Sequence, residues 1–311
     1  MPVPSRIFGW HRQPQDDGRD FKFHLMFPRQ AILPKVAYAH TAPVMDQGQE
    51  GSCVFHGSVA AMESVLIALG DPLPDFNAVT QRYLSSQFGY YEYRQSYGSV
   101  SSDDGAEIRV ALKMLAKAGI CKEVLWPYQA MANFATKPTA ACYTDAPKHI
   151  ITQYIALTGN ADTLLTSIMQ CIASGWGIVF GVNCTKAWNQ DSGIIPTYVP
   201  GEGFEGGHCV YLWGYDQDKK IMYGQNSWGT DWGLQAPTTK TRGFFTMTFA
   251  DISNPTVTSD FWTVRMTTDV PVTPPTPVPT PPPAPTVPDV KVGVRNNVIQ
   301  VIKSAEVWSN F

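Results

Sequence analysis

Proline occupies more than half of positions 271–288, with Val, Thr and Ala between. Each proline lacks an N–H and fixes φ, so no helix or central strand can pass through this stretch. It predicts a polyproline II spacer of about 3.1 Å per residue, roughly 55 Å in all. Any hydrophobic core must therefore be built before about residue 270. Beyond the spacer, residues 289–311 are too few to hold a core of their own. Alternating Val290, Val292 and Val294, followed by Val298, Val301 and Trp308, predict a tail that pairs with an exposed strand edge. That edge belongs to this chain, in which case the tail is self-docking, or to an assembly partner.

Within the body, residues 1–40 show no long apolar period and read as an extended N-terminal arm. From Cys53 to about Gly70 the apolar Val54, Val59, Met62, Val65 and Leu66 recur at helical spacing, and Gly70 with Pro72 stops the run. Residues 76–90 and 105–119 also read as helices. The second of these places Ile108, Ala111, Leu112 and Leu115 on one face. After about residue 150 the pattern changes. Ala161–Ser174 reads as one more helix, and short β-rich runs around 177–182, 209–215, 221–224 and 243–247 are separated by turns. The reading is an α+β body at 41–269 in two lobes, helical over 41–150 and β-rich over 151–269, then a linker at 270–288 and the tail at 289–311.

Composition removes several functions. With 23 basic and 26 acidic residues there is no cationic surplus for a nucleic acid partner. No apolar run reaches the length of a membrane span or of a signal peptide, so a cytoplasmic or virion-associated protein is expected. The six cysteines, at 53, 121, 142, 171, 184 and 209, contain no C-x-x-C pair, which argues against a zinc site and a dense disulfide framework. It predicts buried free thiols while leaving room for one or two disulfides; no metal or cofactor is expected.

Three separated segments carry chemistry. Pro43 to Cys53 is a polar, Gly-rich loop running into a helix, and a cysteine at a helix start faces the positive end of the dipole, which predicts a lowered thiol pKa. Gln47, six residues earlier, can aim its amide at an oxyanion formed there. Gly206-Gly207-His208 leads an apolar strand, and Gln225-Asn226-Ser227-Trp228-Gly229 is a turn-rich loop after another. A thiol needs a base within hydrogen-bond reach, and the base needs a third group to fix its ring. His56, one turn past Cys53, shares the helix face but has no such partner, and Cys209 reads as core. Asp216 and Asp218 read as a hairpin turn.

Gln-Gly-x-x-Gly-Ser-Cys, then Gly-Gly-His, then Asn-Ser-Trp-Gly-x-x-Trp-Gly, in that order, resembles the papain family of cysteine peptidases, over about residues 6–266. The resemblance implies a two-lobed papain-like fold with the cleft between the lobes, and hydrolysis of peptide bonds in protein or peptide substrates. It implies Cys53 as nucleophile, His208 as base, Asn226 as the residue orienting the base, and Gln47 as oxyanion donor. Trp228 would shield the His–Asn contact. Gly105, Ala106 and Gly207 would pair with substrate backbone. Phe8-Gly9-Trp10 and Thr258–Thr263 resemble the prokaryotic and large-virus branch, whose members often lack a long inhibitory pro-segment. The sequence departs from papain at Glu50, where papain has a half-cystine, and at Val54, where it has tryptophan. The same residues would also suit an acyl-transfer or amide hydrolase acting on a non-protein substrate, or a non-catalytic virion component keeping the fold.

Overall fold

The computed structural model describes residues 7–13, 18–30, 32–71, 73, 82–266, 291–295 and 298–302. All of the proline spacer and residues 76–81 of the expected 76–90 helix lie outside these residues; of the rest of that helix, 82–85 are not helical and the helix runs instead over Ser86–Ser96, capped by Ser85. The chain divides into two units, one up to Thr280 and one from Pro281.

In the first unit the short helix α1 (Phe23–Met26) precedes β1 (Val36–Tyr38) and the long helix α2 (Cys53–Ala68). Fourteen of the sixteen α2 residues are buried. A helix apolar all round lies inside the protein, and α2 does so, between α3 (Ser86–Ser96), α4 (Ile108–Lys117) and the sheet. Helix α3 is capped by Ser85, whose Oγ accepts the Phe88 N–H at 3.1 Å. Helix α4 buries Ile108, Ala111, Leu112 and Leu115, the face expected from their spacing. The short α5 (Ala140–Asp145) closes this helical lobe.

The β-rich lobe is an antiparallel sheet in the order β2 (Ile151–Leu157), β7 (Thr258–Met266), β3 (Ile178–Cys184), β4 (Gly206–Asp216), β5 (Ile221–Gln225), β6 (Phe244–Thr248), with β1 paired to β4. Helix α6 (Ala161–Ala173) is capped by Asn160, which accepts the Thr163 N–H, and α7 (Phe249–Ile252) follows β6. The Asp216–Lys220 hairpin joins β4 to β5, and Lys219 reaches Asp216 at 3.0 Å. Strands β1, β2 and β7 carry no clean alternation in sequence because each is covered on both faces for part of its length. Residues 1–40, read as an arm, thus contain a strand of the sheet, and Lys22 bridges to Ala156.

Strand β4 sets the position of the site. Its first half pairs with β3, placing His208 opposite Val182, and its second half pairs with β5, placing Tyr211 opposite Gln225. His208 and Asn226 therefore sit at one end of the sheet. Helix α2 packs closely on the sheet at Gly57, where a Cβ would lie 3.0 Å from Cys209 Sγ and 3.1 Å from Val179 Cγ2. One turn before Gly57, the start of α2 comes to the same end of the sheet as His208.

The second unit contains a hairpin. β8 (Lys291–Arg295) pairs antiparallel with β9 (Val298–Ile302), so the two halves of the tail pair with each other as a hairpin. The ladder satisfies the inward-facing backbone groups of each strand.

Candidate active site

The sequence motifs converge. His208 Nε2 lies 2.8 Å from Asn226 Oδ1, and both residues are buried. The same oxygen accepts the Ser227 N–H at 2.8 Å, which holds the Asn226 amide in one orientation. With Nε2 so engaged, Nδ1 lies on the other side of the imidazole. Trp228 stacks on the His208 ring at 4.8 Å and 20°. Trp188 meets both rings edge-on at 6.2 and 6.1 Å, and Trp232 packs on Trp228 at 5.2 Å. This aromatic box excludes water from the His–Asn contact, which strengthens it. Trp188 was not singled out by the sequence reading; it lies far from the three motifs in the chain.

Gln47 is buried and its amide is fixed at both ends. Ser227 Oγ donates to its Oε1 at 2.7 Å, and its Nε2 donates to the Glu50 carbonyl at 3.0 Å. The same nitrogen reaches the Ile7 carbonyl at 3.4 Å. The backbone is held as well: Gln47 N–H donates to Ser227 O at 2.9 Å, and Tyr128 OH donates to Gln47 O at 2.8 Å. Ser227 thus links the Asn226 turn to the Gln47 loop. It lies inside a recognised motif, yet its role is legible only from the fold.

The N-terminal arm lies across this site. Trp10 N–H donates to Gly207 O, His11 N–H to Ala106 O, and Ala106 N–H to Gly9 O, at 2.9, 2.9 and 2.7 Å. Ala106 and Gly207 are two of the three positions expected to pair with substrate backbone; the N–H of the third, Gly105, donates to Tyr90 OH at 2.9 Å. The bridge between Trp10 and Ala106 is parallel. Approach is close: Gly105, at φ +75°, faces the Gly9 carbonyl where a Cβ would clash, and a side chain on Gly9 would strike Gly51 O. Phe8 packs edge-on against His208 and Trp228, both at 6.2 Å. Trp10 fills a pocket that exists because residue 181 is glycine; its indole Nε1 donates to Asp260 Oδ2 at 3.4 Å.

Covering the site changes its electrostatics. Cys53 is fully buried, and burial pushes its thiol up to about 12, although the N–H groups of Cys209, Gly9 and Val54 act in the opposite direction. The lowered thiol pKa expected from the helix start is therefore not found in this covered conformation, because desolvation of the thiolate outweighs the dipole. His56 Nδ1 lies 3.1 Å from Ser52 O, and the ring meets Tyr128 edge-on at 4.8 Å. Burial holds the His56 pKa far below the usual range. All six cysteines are free and buried. Among the described residues there is no cluster of three or more His, Cys, Asp or Glu able to hold a metal ion, and no helix long and apolar enough to cross a membrane.

Comparison with known proteins places this geometry in context. The family described as papain family cysteine protease matches residues 34–248. An uncharacterized peptidase C1-like protein of Acanthamoeba polyphaga mimivirus is 30% identical over 234 residues, which is 72% of this chain and 70% of that protein. Xylellain, a cysteine protease from Xylella fastidiosa, superposes with a TM-score of 0.72 at 29% identity, over 86% of this chain and 100% of its own. A digestive procathepsin L 3 of Tenebrio molitor larval midgut has a TM-score of 0.55 at 20% identity, over 79% of this chain and 75% of its own, a likeness of fold.

Proposed function

The chain belongs to the papain family of cysteine proteases and is a cysteine-type peptidase acting on protein or peptide substrates; from this premise we propose that Cys53, His208, Asn226 and Gln47 carry its chemistry. The observation that supports the reading is the 2.8 Å contact of His208 Nε2 with Asn226 Oδ1 beside a helix that starts at Cys53. His208 Nδ1 takes the Cys53 proton, and the sulfur attacks the substrate carbonyl carbon. The resulting oxyanion is held by Gln47 Nε2 and the Cys53 N–H. The imidazolium passes its proton to the leaving amine as the C–N bond breaks, leaving a thioester. Water, deprotonated by His208, attacks the thioester and releases the acid and the thiol. Trp228 keeps water off the His–Asn bond, and Gly105, Ala106 and Gly207 receive the substrate backbone where the arm now lies.

Two substitutions test the roles. Asn226→Ala is expected to lower kcat more than it raises KM, because the imidazole loses its orientation while no substrate contact is removed. Gln47→Ala is expected to lower kcat by on the order of 10²-fold, the worth of one oxyanion donor. An effect of Gln47→Ala confined to KM would make it a binding residue instead.

The spacer and hairpin are assigned a tether that holds the peptidase unit at a distance from an assembly partner. Truncation after Asp269 is then expected to change assembly state in size-exclusion chromatography and leave kcat/KM unchanged. A faster truncated enzyme would make the tail self-inhibitory.

A further inference from the structure

The loop from Gln47 to Ser52 carries the oxyanion donor, yet Glu50 occupies the position where papain has a half-cystine, and Cys53 itself is free. What braces the loop instead is a buried carboxyl. Glu50 has no exposed surface, and Gln87 Nε2 of α3 donates to its two oxygens at 3.2 and 2.9 Å. Gln87 is itself anchored: its Oε1 accepts the Gln129 N–H at 3.0 Å, and its Nε2 also reaches Ala130 O at 3.3 Å. The Glu50 backbone carbonyl accepts Gln47 Nε2 at 3.0 Å, from the same amide that reaches the Ile7 carbonyl. Side chain and backbone of one residue thus join a rigid helix to the amide that must meet the oxyanion. On the far side, Asp103 accepts the Gly51 N–H at 3.0 and 2.9 Å and the Tyr90 hydroxyl at 2.6 Å. An apolar residue would fill the Glu50 site at less desolvation cost, so the burial of an acid there calls for a reason beyond packing.

We propose that Glu50 is a positioning residue for catalysis: its carboxyl, gripped by Gln87, fixes the 47–52 loop so that Gln47 Nε2 points at the oxyanion. This rests on the assignment of Gln47 as oxyanion donor. The groups facing the carboxyl are Gln87 and Arg94 from α3, Asp103 from the loop before α4, Arg82 and Tyr128. Burial raises its pKa to about 7, so the carboxyl changes charge near neutrality. As the neutral acid it braces the loop without adding charge. As the carboxylate it adds a buried negative charge to the loop that carries the oxyanion donor, which opposes the transition state. Turnover gains a descending limb as pH rises through about 7, and that limb belongs to Glu50.

The test is steady-state kinetics on the full chain across pH 5.5 to 9 (roughly the range that brackets this titration), with Glu50→Gln, Glu50→Ala, Gln47→Ala and the double variant Gln47→Ala/Glu50→Ala. Glu50→Gln keeps shape and hydrogen bond, and is expected to match wild type at low pH and to lose the descending limb. Glu50→Ala is expected to lower kcat on the order of tenfold or more, with KM within about twofold. In the double variant, Glu50→Ala is expected to cost nothing further once Gln47 is gone, because it acts through that amide. Thermal melts show which variants fold. Unchanged kcat in Glu50→Ala, a descending limb that persists in Glu50→Gln, or losses that add in the double variant would each overturn the proposal while leaving the Cys53 assignment standing. Wild-type turnover that survives Cys53→Ala would overturn both.

Discussion

Replacing Cys53 with alanine is expected to abolish turnover, by on the order of 10⁴-fold or more, while the protein folds as before. The sulfur is the only nucleophile at the start of α2, and the other five cysteines are buried free thiols outside the motifs. Cys53 is fully buried, so removing Sγ leaves a small void; the loss of packing is about 1 kcal/mol, visible as a few degrees in a melt. The combination separates chemistry from structure. Turnover within about tenfold of wild type would contradict the nucleophile assignment, and a collapsed melt would show that the residue is mainly structural.

The second large effect concerns the arm. On the proposed assignment of Gly105, Ala106 and Gly207 to substrate backbone, residues 7–11 occupy its place, with Ile7 O at the Gln47 amide and Trp10 in the pocket over Gly181. A peptide reaches Cys53 only when this segment leaves. Trp10 helps to hold it, being almost wholly buried and hydrogen-bonded to Asp260. Truncating a buried Trp costs about 3–5 kcal/mol, and each 1.4 kcal/mol is about tenfold, so Trp10→Ala is expected to shift the covered–open balance by at least about 10²-fold. Alkylation of Cys53 at neutral pH should accelerate accordingly, because opening also lets water stabilise the thiolate that burial now disfavours. The measurement is the iodoacetamide rate on the full chain, followed by intact mass. An unchanged rate would mean that the arm does not limit access to the site.

The sequence made the site more legible than the mechanism of its exposure. Cys53, His208, Asn226 and Gln47 were named because each lies in a motif whose residue types match a chemical task, and the fold brings the last three together through β4, β5 and the 46–52 loop. The roles of Ser227 and Trp188 are not legible in the sequence, since a serine hydroxyl inside a motif and a distant tryptophan carry no local signal of what they will touch. The arm reads as extended, and nothing in Phe8-Gly9-Trp10 says that it will lie against Ala106 and Gly207; those contacts join residues far apart in the chain and are decided by tertiary packing. The thiol shift was expected in the wrong direction for the same reason. The helix start is visible in sequence, but the burial that outweighs it is supplied by residues remote from Cys53. Among the elements, α2 and α4 followed their periodicity closely. Strands β1, β2 and β7 did not show, because burial on both faces erases alternation. The tail kept its strand character but pairs with itself.

The central claim, that Cys53 is an activated nucleophile in a papain-type site, is tested most directly by incubating the reduced full chain with an epoxysuccinyl peptide and mapping the adduct by mass spectrometry. The account predicts one adduct per chain, on Cys53, formed faster in Trp10→Ala and slower in His208→Ala and Asn226→Ala. An adduct on Cys121, Cys142, Cys171, Cys184 or Cys209, or none on Cys53 even in the Trp10→Ala protein, would contradict it.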